Sequence, residues 1–384
     1  SSNPSKNIVI LKDQTSRSFQ WGNQKQISEN RSAQTTLHLS ADTPRKKKLA
    51  LELRKAKKRK NSKNEDLHDS KNEDLHVSSG DSLENICTEA DATNNGAARL
   101  EVCVDSLESA LNAIHGGADE LEVCSLLSEG GLTPTAGLVN SILAAIKKIG
   151  SGVVLHRTCP EKCACISLTK KPKVNVMIRC RSGSDFAYTE LEMDTMLEDI
   201  EVFKALGPIN RFVFGALTQS QQVDEENCTR VIEQATPHSL TFHRAFDVAV
   251  NPVESLNSIV NLGFDRLLTS GQCPTADAPE AVELIRTLQT TFANQIEIMP
   301  GSGVNAENVT TFMDLGCKIV HSSCKVLKLL PKIEHNYRIG SANSEHIYVT
   351  QEAHVREIKD KMLCYAMVKI EIDEINEYTD ENVE

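Results

Sequence analysis

The stretch Leu100-Glu-Val-Cys103 recurs as Leu121-Glu-Val-Cys124. A strand alternates faces with period two, so Glu and Cys share one side and Leu and Val the other. Between the copies lie a helical stretch, Ser106–His115, and the pair Gly116-Gly117. This is one strand–helix–strand unit, repeated in register. Parallel neighbours in a closed barrel would turn both carboxylates and both thiols toward one interior.

The same alternation continues from Arg99 onward. Strands are read near Leu100–Cys103, Glu120–Cys124, Val174–Arg179, Arg211–Gly215, Leu240–His243, Arg266–Thr269, Ile296–Met299 and Lys318–His321. Helices fall between them at Ser106–His115, Thr135–Lys148, Thr189–Leu206, Asp224–Gln234, Pro252–Leu262, Ala276–Thr291 and Ala306–Leu315. Local signals mark several ends: Asn251-Pro252 and Asn305 as starts, Gly207, Gly263 and Gly316 as stops. Eight strands with seven intervening helices predict a (β/α)8 TIM barrel over residues 99–335. A doubly wound open sheet shares the alternation. Its glycine-rich phosphate turn is missing after the first strand, where Val104-Asp105-Ser106 stands instead.

Three segments fall outside that pattern. Residues 1–98 are rich in Ser, Asn, Lys and Asp and read as a disordered extension. They include a tandem eight-residue duplication, Lys63–Ser70 and Lys71–Ser78, and a run of ten basic residues within Arg45–Lys60. That run suits a nuclear address or a polyanion. Residues 151–171 insert between the second helix and third strand, on the barrel face opposite the usual active mouth. They carry His156, Cys159, Cys163 and Cys165, read as a flexible loop in preference to a metal loop. Residues 336–384 are expected to supply a closing helix, Val355–Met367, and an acidic tail.

Charge and cysteine content bound the function. Residues 1–98 hold 17 Lys+Arg and 13 Asp+Glu; the remainder holds 25 and 40. An acidic body argues against nucleic acid as the main partner, apart from the basic tail. Twelve cysteines in 384 residues are too sparse for a disulfide scaffold, so free thiols in a cytoplasmic protein are expected. Neither a membrane span nor a signal peptide is read.

Strand parity then nominates the chemistry. The mouth should receive Glu101 and Cys103, Glu122 and Cys124, then Asn175, Met177 and Arg179. Later strands add Thr241, His243, Glu297, Met299 and His321. Cys103 and Cys124, with Met177 and Met299 near, make a soft set suited to Cu(I). Glu101, Glu122, Arg179 and His243 make an acid/base set with a cationic clamp. Buried charges need partners, so Glu101, Glu122 and Arg179 are expected to pair. Arg244, Ser270, Gly301, Gly303, His321 and Ser322 are candidates to hold an anion, because small loops after late barrel strands expose backbone N–H groups.

Several strings together resemble the CutC copper homeostasis protein family. They are Glu101–Ser106, Gly116–Cys124, Ser128–Pro134, Val176–Arg179, Thr241–Asp247, Leu268–Gly271, Met299–Gly303 and His321–Ser323. The resemblance implies a (β/α)8 barrel, a cytoplasmic homo-oligomer, a part in copper handling, and Cys103 and Cys124 as Cu(I) ligands. One loop departs from it. The family pattern after the third strand is Arg-Pro-Arg-Gly-Gly-Asp-Phe, whereas this chain has Arg179-Cys-Arg-Ser-Gly-Ser-Asp-Phe186. Three readings follow: Cu(I) buffering or trafficking; an enzyme on a small anionic or phosphorylated substrate; and a binding module whose basic tail directs it to the nucleus or a polyanion.

Overall fold

The computed structural model describes residues 98–331 and 345–380. The expectations for the N-terminal extension, including its basic run and duplication, lie outside the described residues. Eight parallel strands form one sheet: β1 (Arg99–Val104), β2 (Glu120–Val123), β3 (Lys173–Met177), β4 (Arg211–Phe214), β5 (Ser239–Phe242), β6 (Arg266–Thr269), β7 (Glu297–Pro300) and β8 (Ile319–Ser322). Consecutive strands pair from β1 through β7, and β8 pairs with β1. With β7 and β8 side by side at the seam, the sheet is a nearly closed (β/α)8 barrel.

Helices α1 (Leu107–His115), α2 (Ala136–Lys147), α3 (Glu190–Leu206), α4 (Glu225–Ala235), α5 (Pro252–Leu262), α6 (Pro279–Phe292) and α7 (Val309–Asp314) follow the strands. Side-chain caps set the starts of α1 to α4, and Pro at the first position those of α5 and α6. Ser106 and Thr135 accept backbone N–H groups, and Thr189 forms a reciprocal capping box with Glu192. Each buries an apolar face, as α1 does with Ala110, Leu111, Ala113 and Ile114.

The eighth helix comes late. After β8 the chain makes an antiparallel hairpin, β9 (Lys325–Leu329) with β10 (His346–Thr350), which the sequence reading did not anticipate. Helix α8 (Glu352–Asp380) then buries Val355, Ile358 and Met362 against the barrel. It is longer than the expected Val355–Met367. Gly116 makes room for it: a Cβ there would stand 2.5 Å from the Cβ of Val355. Asp119 fastens it, accepting from Lys359 of α8 and Lys170 of the insert at 2.6 Å each. Among the described residues no helix is long and apolar enough to cross a membrane.

The insert is not the loose loop expected from its composition. Leu155 is buried in the core, and its carbonyl accepts from Lys148 Nζ at 3.0 Å. A turn of 3-10 helix spans Ala164–Ser167 and buries Cys165.

Candidate functional site

The barrel interior is built in layers, and the lowest is ionic. Arg266, the first residue of β6, is fully buried. It donates to Glu120 at 2.8 and 3.1 Å and to Glu297 at 2.8 Å. Arg99 adds its own contacts to Glu120 and Glu297. Burial would raise the Glu120 pKa, but the Arg266 guanidinium outweighs it and holds the carboxyl at about 2. Sequence reasoning missed this layer. Arg266 and Glu120 carried the available signal: charges at strand starts, with Glu120 sharing the parity of Glu122.

Glu101 lies above. It accepts from Asn175 Nδ2 and His321 Nδ1, the latter at 2.7 Å, and Arg266 approaches to 3.6 Å. Burial favours its neutral form, but the His321 hydrogen bond and charge prevail and lower its pKa. His321 thus joins two layers. Its Nδ1 meets Glu101, and its Nε2 faces Glu122 at 3.8 Å. Burial disfavours the imidazolium, yet Cys103, Glu122 and Glu101 around it raise its pKa. Glu122 goes the other way. Burial, reinforced by Glu101, pushes its carboxyl up to about 7 against the pull of His321. One oxygen, Oε1, is buried with no partner among the described residues.

The thiols separate at this level. The register sets Cys103 opposite Glu122, not opposite Cys124. Ligating atoms of Cys103, Glu122 and His321 all lie within 4.8 Å of one another. Cys103 and His321 keep 7% and 8% of their surface exposed, and Cys124 keeps none. Cys124 packs with Met177 and Val213 and lies 3.6 Å from Glu122 Oε2. Burial raises its pKa well above that of an ordinary thiol. Met299 joins a separate apolar group with Leu268 and Ile319.

Above the cluster a cavity of about 820 Å³ opens, bordered by Cys103, Glu122, Arg179, His243, Arg244 and His321 among others. The expected pairing of Arg179 with the glutamates does not form. Its guanidinium instead donates to the carbonyls of Glu129, Gly131 and Gly183 at 2.7, 3.0 and 2.8 Å. Loops folding over the mouth present those carbonyls, which a strand-parity argument does not register. Arg179 also lies over Phe186, whose ring stacks obliquely on His243. In the loop that departs from the family pattern, Arg181 grips Asp185 with two bonds of 2.9 Å. His243 Nδ1 accepts from Ala245 N–H, and its Nε2 is buried without a partner among the described residues. Burial, with the charges of Arg179 and Arg244, pushes its pKa down to about 3, so the ring is neutral.

The anion-holding candidates are largely engaged within the chain. Asp247 already sits where an anion was expected. It accepts from the Ser270 N–H and Oγ and from Arg244 Nε at 2.8–3.1 Å. Arg244 also reaches Ser270 Oγ at 2.8 Å. Gly301 N–H is bonded to Thr269 O, and Ser322 Oγ to Val304 O. Gly301 admits β6 and β8 closely, because a Cβ would meet Leu268 at 2.6 Å and His321 at 3.2 Å. Gly303 turns with φ of +81°.

The CutC family model matches residues 98–326. The copper homeostasis protein cutC homolog of Caenorhabditis elegans is 39% identical over 262 residues, 68% of this chain and 94% of that protein. The family protein CutC of Pasteurella multocida is 35% identical over 271 residues, 70% of this chain and all of that one. The solved structure of the putative copper homeostasis protein CutC from Streptococcus agalactiae is 29% identical, with a TM-score of 0.49, covering 59% of this chain and 98% of that one. The chain described here belongs to the CutC family.

Proposed function

We propose that this protein serves copper homeostasis by holding Cu(I) as cargo at the barrel mouth, between Cys103 Sγ and His321 Nε2. The observation that carries the reading is the cluster of Cys103, Glu122 and His321 beneath an open cavity. A thiolate and an imidazole suit Cu(I). The 2.7 Å contact from His321 Nδ1 to Glu101 orients the ring and turns Nε2 toward Glu122, within the cluster that includes Cys103. Metal loading requires deprotonated ligands. Glu122, 3.8 Å from Nε2 and with its carboxyl pushed up to about 7, is placed to take the proton. Cys124, sealed among Met177 and Val213, supports the site by packing.

The test is anaerobic Cu(I) titration of the full chain against a competing chelator. Cys103→Ser is expected to remove one equivalent of bound copper and Cys124→Ser to retain it. Unchanged stoichiometry in Cys103→Ser would refute the site.

A second reading has its own observation. Glu101 and Glu122 are neighbours whose environments drive their pKa values apart, as an acid/base pair requires. An enzyme acting on a small anionic ligand would use Glu122 as the proton donor. His243 Nε2–H would then be a neutral hydrogen-bond donor. Glu122→Gln should then abolish turnover of a substrate that the Cys103→Ser variant still converts.

A further inference from the structure

The insert carries a constellation that the mouth chemistry does not use. Cys159, Cys163 and Cys165 converge on His115, the last residue of α1. His115 Nε2 lies 3.9 Å from Cys159 Sγ and 3.8 Å from Cys163 Sγ. The four ligating atoms all fall within 4.8 Å of one another. A zinc ion with Zn–S of about 2.3 Å and Zn–N of about 2.0–2.1 Å sets tetrahedral edges of about 3.8 Å between sulfurs and about 3.6 Å from sulfur to nitrogen. The observed separations therefore need only small adjustments around an ion.

We propose that His115, Cys159, Cys163 and Cys165 form a structural Cys3His zinc site that clasps the insert to the closed end of the barrel. The insert alone supplies only thiols to it. Its own histidine, His156, turns away and bonds Thr158 at 2.9 Å. The fourth ligand comes from α1, 44 residues before Cys159. The other ring nitrogen of His115, Nδ1, faces the Glu352 carboxylate of α8 at 3.8 Å. A carboxylate behind a ligating imidazole is the usual outer shell of a zinc histidine. The site thus ties three elements together: α1, the insert and the start of α8.

Zinc fits better than the mouth's cargo ion. Four protein ligands fill a tetrahedron and leave no open position, which is the mark of a structural centre. Cu(I) would be served by two or three of the thiols and would leave His115 redundant. The location agrees, because α1 ends and β2 begins at the face opposite the mouth.

The test uses the full chain, purified under reducing conditions without chelators, with metals measured by elemental analysis. One zinc per chain is expected, retained on dialysis and by Cys103→Ser and His156→Ala. Cys163→Ser and His115→Ala should lose it, and Glu352→Gln should weaken it about 10- to 100-fold. Wild-type protein stripped of zinc and refilled with Co2+ provides a readout that does not depend on a variant folding. It should show strong thiolate-to-cobalt charge transfer and tetrahedral visible bands. A chain that takes no zinc, that takes copper in its place at these thiols, or that shows a Cys159–Cys163 disulfide in a non-reduced peptide map would overturn the proposal.

Discussion

The two ends of the barrel carry contrasting clusters. At the mouth, one accessible thiol meets a histidine and two carboxylates under an open cavity. At the opposite end, three thiols meet a histidine with one carboxylate behind it. The first set leaves room for exchange and has groups that can accept a proton. The second offers a complete tetrahedron and links three chain segments. Similar residue types thus suit different tasks, the proposed cargo at one end and the proposed fastening at the other. The Arg266 layer lies beneath the mouth cluster in the barrel interior.

The largest expected effect comes from breaking that ionic layer. Arg266→Ala would leave the buried Glu120 carboxylate with only Arg99 and Asn175, and the partly exposed Glu297 with only Arg99. Removing one partner of a buried ion network costs about 3–5 kcal/mol. Denaturant unfolding should register it, and both metal sites should loosen together.

Glu101→Gln sharpens the contrast by touching one end alone. It replaces the carboxylate that orients His321. Copper affinity should fall about 10- to 100-fold, while zinc content stays at one per chain. Isothermal competition for copper, beside elemental analysis for zinc, checks both halves.

Gly116→Ala does the reverse. The new methyl would collide with Val355 Cβ and Glu352 O, at 2.5 and 2.8 Å. Overpacking of this kind costs about 1–3 kcal/mol. Helix α8 also lines the mouth cavity through His354, Glu357 and Ile358 but supplies none of Cys103, Glu122 and His321, so displacing it should draw Glu352 from His115 and weaken zinc by more than it weakens copper.

The smallest effect is a pH dependence at the closed end. Burial would raise the Asp119 pKa, but Lys359, Lys170 and the Leu100 N–H together lower it. A depressed folded pKa contributes stability that is present above the unfolded value, about 3.9, and lost as pH falls through the folded one. The stability gap between wild type and Asp119→Asn should be full at neutral pH and shrink in acid below about pH 4. Thermal melts across that range, read for both proteins, measure it.

Strand parity made much of this visible in the sequence. The repeated Leu-Glu-Val-Cys set β1 and β2 as parallel neighbours, and glycines and capping residues placed the helices. Parity alone fixed neither relative height nor loop coverage. The register moved Cys103 level with Glu122, which parity cannot foresee. Arg179 turned to loop carbonyls because backbone acceptors leave no side-chain pattern. Asp247 filled the anion position from a neighbouring loop. His115 joined the insert thiols across 44 residues of chain from Cys159, a distance at which ligand spacing ceases to be a signal. The hairpin between β8 and α8 has short, half-exposed strands and little periodicity to mark it.

The central claim is that the mouth cluster, built on Cys103 and His321, is where copper is held. Its most direct test is the anaerobic Cu(I) competition titration of zinc-loaded full chain, with Cys103→Ser, His321→Ala and Cys124→Ser beside wild type. The account predicts one tight equivalent, lost in the first two variants and kept in the third. Copper binding that survives Cys103→Ser and His321→Ala, or that vanishes only with Cys124→Ser, would contradict it.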